Sequence, residues 1–124
     1  MFNVNFDKLD GLVPVIIQDE NTLEVLMQAF MNKEALDLSI STGYVHYFSR
    51  TRKKIWKKGE ASGRSQKLKE IRVDCDNDSL LIKVHQVGGA ACHEGYSSCY
   101  FRVLRDGALV VNGIRVFNPK DGCR

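Results

Sequence analysis

The sequence predicts a β-rich α+β domain whose short strands form a barrel-like or sandwich sheet with one or two short helices. Three observations predict it. Seven or so runs of β-branched and aromatic residues are separated by Gly, Asn and Asp turns. One segment carries both a start and a stop signal for a helix. A chain of 124 residues, 44% hydrophobic, suits a single domain spanning 1–124 with a real core.

Residues 12–18 read as a strand ended by the polar turn Asp19-Glu20-Asn21-Thr22, and residues 23–30 as the strand returning from it. Asn32 is the expected N-cap of a short helix, with Glu34 in its first turn. Ala35, Leu36, Leu38 and Ile40 fill that helix, and it stops near Gly43. Residues 44–48 are again strand-like. The stretch around Gly59, Ser62, Gly63 and Ser65 suits a loop whose backbone amides approach an anion. Residues 67–75 and 80–87 read as two strands joined around Asp76-Asn77-Asp78, and Gly88-Gly89 breaks the second. Residues 99–104 and 108–111 form a hairpin around Arg105-Asp106-Gly107.

No apolar run approaches the roughly 20 residues needed to cross a bilayer. Met1 to Asp7 lacks the basic and apolar regions of an export signal. A cytoplasmic location is therefore expected, where four cysteines favour ligation or catalysis over disulfides. Cys123, beside the terminal Arg124, has no partner motif and reads as a bystander. Charge is unevenly spread. Between Arg50 and Arg72 ten basic residues face only Glu60 and Glu70, a net +8, so the rest of the chain carries −5 to reach the overall +3. An anion, either nucleic acid or a phosphorylated small molecule, is expected to meet that segment. Trp56, among Lys53, Lys54, Lys57 and Lys58, could stack on a base as in single-strand binding proteins.

Two segments bear the remaining chemistry: Asp74-Cys75-Asp76-Asn77-Asp78, and the run from Ala91 to Cys99. Thiolates favour zinc and carboxylates favour magnesium. If the first segment is extended, alternation puts Asp74, Asp76 and Asp78 on one side and Cys75 on the other. The aspartates then either bind a hard cation or form a solvated turn. An EF-hand is excluded, because Ser79 and His85 stand where that loop needs Gly and Glu. Cys92 and Cys99 are too far apart for a structural zinc knuckle. Three thiols with an open fourth position would fit a catalytic zinc, and the alternative is an unmetallated pair lining the core. His93 is a fourth ligand, a general base or a surface residue. His46 and His85 lie in strand-like runs and read as structural.

Several motifs together resemble one family. Ser49-Arg50-x-Arg52, Trp56-x-Lys58-Gly59-Glu60-x-Ser62-Gly63-x-x-Gln66, Asp74-Cys75-Asp76-x-Asp78, Gln86-Val87-Gly88-Gly89-x-Ala91-Cys92-His93-x-Gly95 and Ser98-Cys99-Tyr100 look like the signature of phosphoribosyl-AMP cyclohydrolase. They appear in the right order over residues 12–103. The resemblance implies hydrolytic opening of the adenine ring of phosphoribosyl-AMP, the third step of histidine biosynthesis. It implies zinc on Cys75, Cys92 and Cys99, magnesium on Asp74, Asp76 and Asp78, and an intertwined homodimer sharing zinc ligands across its interface. A fused pyrophosphohydrolase domain, present in some relatives, is not expected.

On that reading the substrate's two phosphates account for the basic segment. Arg50, Arg52, Lys58, Gly59, Glu60, Ser62 and Gly63 are the expected phosphate and ribose contacts. Three thiolates acidify a zinc-held water less than three histidines would, so a further base is expected, and His93 is the candidate. Arg64 is a departure: relatives often carry His or Asn there. The rivals are a zinc-containing single-strand-binding module and a metal-stabilised structural protein.

Overall fold

Val13, Val15 and Ile17 are fully buried, and the residues between them are only partly so. This period of two makes β1 (Val13–Asp19) the centre of an open sheet. A computed structural model describes residues 3–121 of the chain, so Cys123 lies outside the described residues. β1 pairs antiparallel with β2 (Val25–Met31) and parallel with β6 (Leu80–Gln86), and β6 pairs antiparallel with β5 (Gln66–Val73). The order is β2-β1-β6-β5. Leu80, Ile82 and Val84 bring a second buried row beside that of β1. Each such aliphatic side chain contributes roughly 1.5–3 kcal/mol on burial.

Helix α1 (Lys33–Thr42) covers this core with Ala35 and Leu36. Its caps are those expected: Asn32 Oδ1 accepts from the Ala35 N–H at 2.8 Å, and Gly43 takes the left-handed conformation (φ 79°). Ile40 points out, 45% exposed, and Ser39 takes the inward place. The Ser39 hydroxyl donates to the Ala35 carbonyl and accepts from the His46 N–H, each at 2.8 Å.

The remaining strands form two-stranded ribbons: β3 (His46–Ser49) with β4 (Lys54–Lys57), and β7 (Arg102–Arg105) with β8 (Ala108–Val111). Two corrections to the sequence expectations follow, with one addition. The sheets do not close into a barrel, because β2 and β5 remain separate edges. A strand absent from the expectations, β4, opens the basic segment, because Ile55 and Trp56 pair opposite Phe48 and Tyr47 and pack on the core. The second strand begins at Val25, because Leu23 has a left-handed φ of 64° and belongs to the turn.

Candidate active site

The loop between β6 and β7 presents Cys92 and Cys99. The Gly95 N–H donates to the Cys92 carbonyl at 2.9 Å, and the Cys92 N–H donates to Tyr96 at 3.2 Å, closing a tight turn. At the other end, Ser98 Oγ donates to the Val25 carbonyl at 2.6 Å and the Cys99 N–H to Leu26 at 2.7 Å, tying the loop to β2. Cys92 is buried, and the Glu94 N–H points at its sulfur at 3.5 Å. The thiols of Cys92 and Cys99 lie near enough to influence each other's ionisation. Cys99 is exposed as a residue, yet the protein around its sulfur and the adjoining Cys92 push its thiol up to about 11.

Lys58 reaches under this loop from the end of β4. Its ammonium donates to the Ala91 carbonyl at 2.7 Å. Burial lowers its pKa, and the two cysteines oppose that shift. Below lies a buried polar network. Tyr47 donates to Gln66 Oε1, Gln66 Nε2 donates to Gln86 Oε1 at 2.8 Å, and Gln86 Nε2 reaches the Arg64 carbonyl at 3.1 Å. Burial, with the Cys99 charge, holds the Tyr47 phenol well above its ordinary value. The network fastens the loop at residues 59–65 to the turn after β6.

A cavity of about 380 Å³ opens beside the cysteine loop. Arg52, Trp56, Lys58, Gly59, Glu60, Ser62, Cys92 and His93 line it, together with Arg64 and Phe117. Most of the expected substrate contacts therefore meet at one place. Arg50 does not line it; its guanidinium lies over the Phe30 ring at 4.1 Å. Gly63 does not line it either. Gly59 has a second reason to be glycine, since a Cβ there would stand 2.4 Å from the backbone of Arg64 and Ser65. Trp56 is half-buried against Tyr47, ring centroids 5.0 Å apart, and is not an open platform. His46 Nδ1 lies 2.8 Å from the Tyr44 carbonyl, a structural place.

The acidic segment is a turn, not an extended run. Asp74 Oδ1 accepts from the N–H groups of Asp78 (2.9 Å) and Ser79 (3.2 Å), and Asn77 adopts φ 63°. Strand alternation is thus the wrong reason for the aspartates' shared side. The turn nevertheless brings carboxylate oxygens of Asp74, Asp76 and Asp78 within 4.8 Å of one another. Lys8 bridges Asp78 at 2.9 Å and Asp76 at 3.3 Å. The protein around Asp74 and its neighbouring carboxylates raise its pKa, whereas hydrogen bonding with Asp78 and Lys8 lowers that of Asp76. Cys75 sits exposed on this turn. Among the described residues the aspartate trio is the only group of three or more such donors so close, so Cys75, Cys92 and Cys99 do not converge within one chain.

The family model described as phosphoribosyl-AMP cyclohydrolase matches residues 27–101, which hold both cysteine segments and most of the cavity. The chain belongs to the phosphoribosyl-AMP cyclohydrolase family. It is similar to the phosphoribosyl-AMP cyclohydrolase of Methanocella arvoryzae, 59% identical over 112 residues, covering 90% of this chain and 91% of that one. It is 51% identical to that of Desulfatibacillum aliphaticivorans over 121 residues (98% and 97%). It is 55% identical to that of Methanospirillum hungatei over 121 residues (98% and 88%). As a member of this cyclohydrolase family the chain is a hydrolase. Sequence reasoning missed Phe117, since its segment matches no motif. It quoted Gln66 and Gln86 without a role, which only their mutual contact supplies. Among the described residues no helix is long and apolar enough to cross a membrane.

Proposed function

We propose that the chain hydrolyses phosphoribosyl-AMP in the cytoplasm, cleaving the N1–C6 bond of the adenine ring to give the formimino-aminoimidazole carboxamide ribonucleotide of histidine biosynthesis. The observation that carries this reading is the convergence of Cys92, His93, Lys58, Glu60 and Arg52 on one cavity in a chain of this family.

The donor set fits zinc. Two adjoining thiols oppose each other's ionisation, and a soft dication relieves that opposition. One chain supplies only two of the three sulfurs, so we assign the third to Cys75 of the partner subunit in a homodimer. The β7–β8 ribbon favours such a partner: Leu104 and Leu109, opposite each other across it, are 69% and 60% exposed, an apolar patch that a second copy would cover. Magnesium goes to Asp74, Asp76 and Asp78. Zinc, when bound, supplies an acidified water close to the cavity.

The chain's own residues do the rest. The His93 imidazole takes a proton from the attacking water and returns one to N1 as the ring opens. Lys58 holds the Ala91 carbonyl and sets a positive charge beside the thiolates. Arg52 faces the phosphates, with Gly59 to Ser62 shaping the wall, and Glu60 meets a ribose hydroxyl.

The test is an absorbance assay with phosphoribosyl-AMP on zinc-replete, magnesium-supplemented protein, with and without chelator. Conversion that the chelator abolishes is expected; no conversion would overturn the reading. Full turnover by His93→Ala with zinc retained would remove the base assignment alone.

A further inference from the structure

One wall of the cavity comes from outside the span that the family model matches. Phe117 lines it, beyond the matched end at residue 101. After β8 the chain turns back, with the Asn112 N–H donating to Phe101 at 2.7 Å. Arg115 then bridges Tyr96, and the Val116 N–H donates to the Gly95 carbonyl at 2.6 Å. Gly95 (φ 95°) accommodates this strap because it has no side chain: a Cβ would lie 2.0 Å from the Phe117 carbonyl oxygen. Tyr96 stacks on Phe101 (centroids 3.9 Å apart, planes 6°), and the Arg115 guanidinium sits 5.3 Å over Tyr96. The strap is therefore fastened to the loop that carries Cys92 and Cys99.

Its contact in the cavity is with Arg64. The guanidinium carbon lies 3.7 Å from the Phe117 ring centroid. The aliphatic stem passes over Gly88, where a Cβ would meet Arg64 Cγ at 3.0 Å. Arg64 is thus clamped along its length, stem on a glycine and head on a ring. A ring stacked on a guanidinium's face does not compete for the N–H donors in its plane, and those are the donors that grip a phosphate.

We propose that Phe117 is a positioning residue that fixes the plane of Arg64, and that Arg64 so held binds a phosphate of the nucleotide substrate. This rests on the reading under Proposed function. It makes the strap of residues 114–117 part of the active site, and it gives the departure at Arg64 a function.

The experiment uses the zinc-loaded full chain and two readouts. One is steady-state turnover of phosphoribosyl-AMP. The other is binding of AMP, followed by the fluorescence of Trp56, the single tryptophan, which lines the same cavity. Phe117→Leu is expected to raise KM and the AMP Kd by about 5- to 20-fold with kcat within about twofold. Phe117→Tyr restores both. Arg64→Gln reproduces the loss, and the double variant is no worse than Arg64→Gln alone. Arg64→Lys, which keeps the charge without the planar fork, shows the same weakened AMP binding and stands in if Phe117→Leu does not fold. Unchanged AMP affinity in Phe117→Leu or Arg64→Lys, additive losses in the double variant, or no AMP binding by the wild type would each overturn the proposal. AMP binding with this pattern but no turnover would sink the proposed reaction and leave the positioning role standing.

Discussion

The Lys58 ammonium and the Ala91 carbonyl meet at 2.7 Å, joining the basic segment to the residue before Cys92. The bond crosses thirty-three positions of sequence and puts a cation beside two thiols. A charge-assisted hydrogen bond in this half-buried place is worth about 1.5–3 kcal/mol. Lys58→Met should therefore lower kcat/KM about 10- to 100-fold and release zinc at a lower chelator concentration. Steady-state kinetics and zinc content after dialysis check this; a variant that keeps both would show the bond to be incidental.

Gln86 occupies a buried position and donates to the Arg64, Ser65 and Val87 carbonyls while accepting from Gln66. Gln86→Leu keeps the volume and strands those partners. We expect a stability loss of about 1–3 kcal/mol in urea denaturation. A variant as stable as the wild type would mean that water or relaxed backbone replaces the network.

Asp19 closes the β1–β2 turn, its Oδ2 accepting from the N–H groups of Asn21 (2.9 Å) and Thr22 (2.8 Å). Burial pushes the carboxyl up, but these hydrogen bonds and the charge of His85 outweigh it, and the net shift is downward. A carboxylate depressed on folding stabilises fully above its unfolded pKa and loses that contribution as pH falls through the folded one. Asp19→Ala should cost ~1 kcal/mol at pH 7, with the gap to wild type closing below the ordinary carboxylate range. A gap independent of pH would show that the carboxylate charge plays no part.

Lys8 occupies the aspartate turn in the way a cation would, bridging Asp76 and Asp78. A divalent ion has to compete with it. Lys8→Met should tighten magnesium binding about two- to fivefold at low ionic strength, with the difference fading in salt. Titration calorimetry checks this. Equal affinity in the two proteins would mean the bridge does not hold in solution.

Much of the fold was legible from local chemistry. The alternation of Val13, Val15 and Ile17 marks a strand because side-chain direction has period two, and Asn32 and Gly43 mark helix ends because backbone groups there need partners. Local rules failed where partners were distant. No local signal marks Ile55 and Trp56 as a strand among the surrounding lysines; their partners Phe48 and Tyr47 across the ribbon do. The aspartate cluster was foreseen for the wrong cause, since a turn closed by Asp74 gathers the carboxylates.

By itself the sequence determined the donor types, the cysteine and aspartate spacing and the motif order that place the chain in its family, because these are properties of residues along the chain. Only the tertiary structure decided which of them meet. It set Lys58 under the Cys92 loop, kept Cys75 away from the other two thiols of its own chain, and laid Phe117 on Arg64. Those contacts depend on how separate strands and loops pack, and no local pattern encodes a distance across the fold.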